Sequence, residues 1–269
     1  MSSASTVVMA LVLVAASRTG FATGSDLTPE QARILESVRA SALDYSSSLP
    51  NFICTQITHR ETSRFGGFPG TVINGTTGSD AIEERLTYVG QKETYQVVSI
   101  NGQKAEGQDR TEFYGAMSAG EFGSTLREIF DPESQTVFTW VKMTKVSGRS
   151  AYVFGFRVPQ ANGATVTHRE TNQTIVAPFG GEIDVDQESF AVLRIHSTLE
   201  LPKTFPIQMS ELTVVYQQVK IADKTYMLPV HSEVRVKDIA HLYVNRIDFR
   251  NYQKFGTEMT IQFDDPTPQ

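Results

Sequence analysis

"SQTVFTWVKMTKVSGRSAYVFGFRVP", residues 134–159, holds two runs of alternating apolar residues on either side of Ser147-Gly148. A two-residue hairpin turn there pairs Val146 with Arg149. Successive side chains of a strand point to opposite faces, so counting back from the turn sorts both arms. Val137, Thr139, Val141 and Met143 then share a side with Tyr152, Phe154, Phe156 and Val158, an almost wholly apolar surface. The opposite side mixes polar and aromatic groups, with Trp140 across from Gly155 and Phe138 across from Arg157. One greasy face and one mixed face mark an antiparallel sheet packed on a single side.

The next hairpin, "GEIDVDQESFAVLRIHSTLELP" at residues 181–202, carries acids at alternate positions, Asp184, Asp186 and Glu188. A calcium loop beginning at Asp184 needs glycine at its sixth position and glutamate at its twelfth. Ser189 and Ile195 stand there instead. The segment Asp186 to Ser189 therefore reads as a turn, with Ile183 and Val185 facing the same side as Phe190 and Val192. The Gly180-Gly181 pair just before it reads as turn material.

Toward the N-terminus, Thr28, Pro29 and Gln31 spell a helix start: an N-cap, a proline at the first helical position and a capping-box glutamine. Ile34, Leu35, Val38 and Ala42 recur at helical spacing until Pro50. A second, short helix is expected over "FGSTLREIF", 122–130, capped by Ser118 and Glu121. Elsewhere the pattern is alternating and β-branched, and strands are expected near 51–60, 80–89, 93–100, 135–146, 149–158, 164–176, 181–186, 190–200, 211–221, 225–237 and 242–254. The Gly-rich connection 62–79 is expected to be a mobile flap, and 103–118 a second long connection. Without any sign of parallel crossovers, the sheet is expected to be antiparallel.

The chain has 269 residues, 40% of them hydrophobic, and a formal net charge of −6. That is enough apolar material for a full core. No basic run is present, which argues against nucleic acid and against an anionic membrane surface as partners. Residues Val7 to Ala16 are uninterrupted apolar but only half the length needed to cross a bilayer. Residues 1–24 are accordingly expected to be a signal peptide ending at the small residues Ala22 and Gly24, although Met1 to Thr6 lacks Lys or Arg. The mature part, 25–269, is expected to be one exported domain with no transmembrane segment. Cys54 is the only cysteine, which excludes an internal disulfide and any multi-cysteine metal site. Its expected role is a small buried strand residue.

The pattern His-x-Glu occurs at His59/Glu61, His168/Glu170 and His231/Glu233. Residues two apart on a strand share a face, so each pair offers a nitrogen and a carboxylate to one metal ion. The same pairs also suit an ordinary solvated strand face. "AMSAG", 116–120, lacks the first glycine of a hydrolase elbow, and neither a P-loop nor a dinucleotide fingerprint occurs. No cofactor, resident metal or catalytic residue is expected. A metal-dependent enzyme built on the His-x-Glu pairs is the minor alternative.

"GEIDVDQESFAVLRI", 181–195, resembles the strand–turn–strand signature of the bacterial outer-membrane lipoprotein carrier (LolA-like) superfamily through Gly181, Ile183, Val185, Asp186, Leu193 and Arg194. "RIDFRNYQKFG", 246–256, is similar to its closing strand. The resemblance implies a mainly β fold: a single curved antiparallel half-barrel of roughly eleven strands, with an N-terminal helix and a short second helix on its concave side. It also implies a non-catalytic, exported envelope protein, periplasmic or secreted, that binds an apolar ligand such as an acyl chain, a lipid or a lipoprotein in the cavity. The same fold serves periplasmic sensors, so an interaction module with a dry core and an envelope protein partner is the alternative. Combined with the face count, the expected ligand-binding lining is Val137, Val141, Met143, Tyr152, Phe154, Phe156 and Val158, joined by Leu212, Val214 and Tyr216. The 62–79 and 103–118 connections look like insertions relative to a minimal carrier, and no individual functional residue carries over.

Overall fold

The computed structural model describes residues 27–65, 72–105, 108, 121–168 and 170–256; the expected signal peptide lies outside them. Helix α1 (Pro29–Ser48) begins as its sequence dictates. The Thr28 hydroxyl accepts from the Gln31 N–H at 3.3 Å, and the Gln31 side chain accepts from the Thr28 N–H at 2.9 Å. This reciprocal pair closes the capping box. Leu49 takes an extended conformation ahead of Pro50, which disfavours helical geometry in the residue before it, and the helix stops.

Strands β1 (Phe52–Phe65), β2 (Val72–Val89), β3 (Lys92–Ile100) and β4 (Gln103–Lys104) precede helix α2 (Ser124–Phe130). After it come β5 (Val137–Val146), β6 (Arg149–Val158), β7 (Ala164–His168), β8 (Gln173–Ala177), β9 (Phe179–Asp186), β10 (Val192–Leu199), β11 (Met209–Ile221), β12 (Lys224–Lys237) and β13 (His241–Lys254). Eleven of these form one open, curved antiparallel sheet in the order β4-β3-β2-β1-β13-β12-β11-β10-β9-β6-β5, and β7 with β8 make a separate hairpin. The chain thus closes on itself midway, where β13 pairs with β1. Both helices lie on one face, as expected. No helix among the described residues is long and apolar enough to cross a membrane.

Several local expectations hold because they rest on backbone chemistry. Ser147 and Gly148 both have positive φ, 49° and 82°, as the favoured hairpin turn requires. At the acidic tip, the Asp186 carboxylate accepts from Arg149 Nε at 2.6 Å, from the Ser189 hydroxyl at 2.8 Å and from the Ser189 N–H at 2.9 Å. It is a turn anchor rather than a metal ligand. Its hydrogen bond from Arg149 above all, then those from Ser189, holds its carboxyl well below the usual carboxylate range despite burial. Because the folded value is depressed, this stabilisation is present above about pH 4, the ordinary carboxylate value, and is lost as pH falls below it. Asp186→Asn is expected to cost about 2 kcal/mol at pH 7 and to flatten the acid limb of stability, measured by urea titration between pH 7 and pH 3.

Four expectations are corrected. Residues 62–65 and 72–79 of the expected flap are the distal arms of the β1–β2 hairpin, pairing Thr62 with Gly78 and Phe65 with Val72 through two register shifts, while 66–71 lie outside the described residues, as does most of the 103–118 connection. Ladder hydrogen bonds from a paired neighbour compensate for the weak strand propensity of the Gly/Thr run. The segment 164–176 is two strands, because the turn before Gln173 folds it into the β7–β8 hairpin. Helix α2 starts only at Ser124, with Gly123 at its N-cap and no side-chain cap. Glu121 is buried in the preceding turn, while Ser118 falls outside the described residues. Finally, Gly180 and Gly181 lie inside β9, not in a turn.

Candidate functional site

Under the two helices the sheet presents a continuous apolar layer. Leu35, Val38 and Ala42 of α1 and Leu126, Ile129 and Phe130 of α2 pack on Phe138 of β5, on Phe154, Phe156 and Val158 of β6, and on Ile183, Val185, Ile195, Val214 and Tyr216 of β9 to β11. Ring contacts lock the layers together. Phe130 stacks on Phe138 with centroids 5.3 Å apart, Tyr45 meets Tyr216 edge-on at 6.0 Å, and Trp140 meets Phe154 edge-on at 5.3 Å. Arg39 of α1 is buried within this layer, its Nη1 donating to Glu36 at 2.7 Å and its guanidinium 5.8 Å from the Phe138 centroid.

The expected lining divides. Tyr152, Phe154, Phe156, Val158, Leu212, Val214 and Tyr216 all belong to this layer. Val137, Val141 and Met143 do not; they are 38%, 41% and 67% exposed. For Val137 and Val141 the cause is a β-bulge between Trp140 and Lys142, which shifts the register by one residue; nothing in the register explains the exposure of Met143, which lies on the turn side of the bulge. Near the turn the count holds, with Met143 opposite Tyr152. Beyond the bulge Trp140 faces Phe154 and Phe138 faces Phe156, so the two rings take the inner side and Val137 turns outward. The larger rings bury more apolar area than the valines they displace. That size difference is the signal that could have found Phe138 and Trp140 in the sequence. On the outermost strand β5, the bulge together with exposed Lys142 and Lys145 also blunts a free edge.

The other half of the inner wall has a different character. Phe122 plugs an aromatic cluster there, with Phe52 at 5.3 Å and Phe249 at 5.2 Å between centroids. Beside it runs a buried polar strip of Gln56, Thr58, Glu84, Ser232 and Asn245, in which Gln56 Nε2 donates to Glu84 Oε2 at 2.8 Å. Sequence reasoning missed this strip, because inward-facing polar residues on a strand look like an ordinary solvated face.

The His-x-Glu pairs meet only in part. Strands β1 and β12 flank β13, so two pairs come within one strand of each other. Arg246 stands between them, its Nη1 donating to Glu61 at 2.9 Å and its Nε to Glu233 at 3.2 Å. His231 pairs with Asp248 at 3.1 Å. The carboxylates are thus tied by a guanidinium, and His168/Glu170 sits apart at the β7–β8 hairpin. Among the described residues no group of three or more potential ligands could hold a metal ion.

Cys54 is buried on β1, and desolvation pushes its thiol up to about 12. The thiolate is the reactive form. In the native chain Cys54 is therefore expected to resist a disulfide reagent at pH 8 and to react fully once denaturant is added, read by thiol titration.

No family model matches the chain, and no curated protein does. Solved structures do. The chain is similar to LolA superfamily proteins. One from Nitrosomonas europaea matches at 9% identity and a TM-score of 0.41, over 82% of this chain and 93% of the other. An outer membrane lipoprotein-sorting protein domain from Vibrio parahaemolyticus matches at 10% identity and 0.37, over 82% and 90%. A DUF1329 family protein from Desulfovibrio piger follows at 12% identity and 0.34, over 81% and 92%.

Proposed function

We propose that this protein is an exported, non-catalytic envelope carrier that takes an apolar chain, the acyl tail of a lipid or lipidated protein, between its sheet and its two helices. The observation that carries this reading is the apolar layer across β5, β6, β9, β10 and β11, which α1 and α2 cover through side chains. The resemblance of residues 181–195 to the carrier signature points the same way. The proposed lining is Tyr152, Phe154, Phe156, Val158, Leu212, Val214 and Tyr216, together with Phe138 and Trp140. An incoming chain would replace the side chains of α1 and α2 on this wall. Each methylene transferred from water contributes about 0.8 kcal/mol, so a dozen carbons would offset the displaced contacts by area alone. The exposed Val137, Val141 and Met143 on β5 would lie at the mouth.

A second reading, an interaction or sensing module with a dry core, is favoured by the complete burial of Phe154, Ile183, Val185 and Ile195. One experiment separates them. Trp140 is the only tryptophan and lies in the proposed wall. A dansyl-labelled fatty acid is expected to give saturable energy transfer from Trp140, reversed by palmitate, and organic extraction of the purified protein should release lipid. Neither transfer nor lipid is the result expected of the dry module.

A further inference from the structure

The β7–β8 hairpin stands apart from the main sheet. Its base is pinned and its tip is free. Ala177 is buried, and a Cβ on Gly163 would lie 2.1 Å from the Ala177 carbonyl oxygen, so the chain entering β7 is packed directly on the end of β8. Five residue pairs, from Ala164 with Ala177 to His168 with Gln173, carry the arms outward. Glu170, Thr171 and Asn172 form the turn, and every residue from Glu170 to Thr174 is exposed. Asn172 has φ 52°, a left-handed conformation that asparagine tolerates better than most residues.

The tip spells Glu170-Thr171-Asn172-Gln173-Thr174. Asn-x-Thr, with x other than proline, is the acceptor sequence for N-linked glycosylation of exported chains. Glu170 adds an acid two positions before the asparagine, the extension that bacterial acceptor sites carry. Asn74-Gly75-Thr76 is the one other Asn-x-Thr in the chain, with Val72 in that place. It lies within β2, in the ladder that pairs Thr76 with Ser63.

Accessibility separates the two. A transferase holds its acceptor as an extended segment, so that segment must first leave its neighbours. Freeing Asn74 means opening a strand of the eleven-stranded sheet. A lone two-stranded hairpin is only marginally stable, and its tip opens at much lower cost. Two exposed side-chain contacts hold the tip, the Thr167 and Thr174 hydroxyls at 2.9 Å and His168 Nδ1 with the Thr171 hydroxyl at 2.9 Å. Water replaces such bonds with little net loss.

We propose that Asn172 is an N-glycan acceptor, recognised together with Glu170 and Thr174, that receives an oligosaccharide from a polyisoprenyl pyrophosphate carrier. The side-chain amide nitrogen forms a bond to C1 of the first sugar as the C1–O bond to pyrophosphate breaks. The amide proton passes to a base of the transferase, and the polyisoprenyl pyrophosphate leaves. The site rests on the export proposed above, because such carriers present their glycan outside the cytoplasm, and is independent of the acyl-chain wall.

Mass spectrometry of the protein isolated from fractionated cells of its own source tests the assignment. The tryptic peptide Glu170–Arg194 contains Asn172 as its only acceptor asparagine and should carry a sugar mass with the matching fragment ions. The peptide containing Asn74 should be bare. Exported protein with Asn172 unmodified overturns the proposal and leaves export standing, whereas protein confined to the cytoplasm overturns both. In a host supplied with a bacterial oligosaccharyltransferase and its lipid-linked glycan, the full chain should gain the glycan. Asn172→Gln, Thr174→Val and Glu170→Gln should each lose it while keeping the melting temperature, since all three positions are exposed. Asn74→Gln should leave occupancy unchanged. A glycan that persists in Asn172→Gln, full occupancy in Glu170→Gln, or a glycan on Asn74 also overturns the proposal.

Discussion

Gly181→Ala is expected to destabilise the chain by at least about 4 kcal/mol, and Gly181→Val to leave no folded protein in solution. Gly181 lies in β9 between β6 and β10, opposite Phe156 on one side and Ser197 on the other. A Cβ there would fall 1.9 Å from the His196 carbonyl oxygen and 2.9 Å from Ser197 Cα. Both obstacles are backbone, so no side-chain rotation relieves the clash. The strands would have to separate, breaking ladder hydrogen bonds in the middle of the sheet. Gly78 provides the control: nothing lies within 4 Å of the position its Cβ would take, so Gly78→Ala should be neutral or slightly stabilising. Expression, circular dichroism and urea titration of the three variants measure the contrast. A Gly181→Ala protein as stable as Gly78→Ala would mean that β9 and β10 are not paired in this register.

The second large effect is at the wall itself. Phe154→Ala removes a fully buried ring that touches Trp140 and should cost about 3–5 kcal/mol, with a drop in Tm of roughly 10 °C. Phe138→Ala, which loses the stack on Phe130, belongs in the same range. Met143→Ala and Val137→Ala, at exposed positions, should stay within about 0.5 kcal/mol. The series reads the bulge directly. A continuous hairpin register would reverse the ranking of Phe138 and Val137, so a costly Val137→Ala beside a mild Phe138→Ala is the outcome that removes the bulge. In the Phe154→Ala variant, tighter uptake of the dansyl fatty acid would accompany the loss of stability if the vacated volume accepts the acyl chain.

These two sites also show where sequence reading stopped. The capping box of α1, the Ser147-Gly148 turn and the Asp186 turn were legible because each involves residues within a few positions of one another, where backbone geometry and local hydrogen bonds decide the conformation. The arms of the β5–β6 hairpin were legible as strands, yet their faces were not. Val137/Val141 and Phe138/Trp140 are both apolar alternations, and one bulged residue switches which of them is inside. Gly180-Gly181 looked like turn material because the sequence does not reveal that two neighbouring backbones press against it. The His-x-Glu pairs offered a metal site as a minor alternative, and only the placement of Arg246 between β1 and β12 made Glu61 and Glu233 ion-pair partners instead.

From its own alternation, caps and turns, the sequence determined a mainly antiparallel chain with a leading helix and a short second one, and most of the residues that meet in the core. Tertiary structure alone decided the strand order, the face of each residue beyond the bulge and the polar strip on the inner wall. The reason is physical. Local torsional and hydrogen-bond preferences are written into neighbouring residues, whereas strand pairing, close backbone approach and the meeting of charges depend on segments more than a hundred residues apart, such as Glu61 and Arg246.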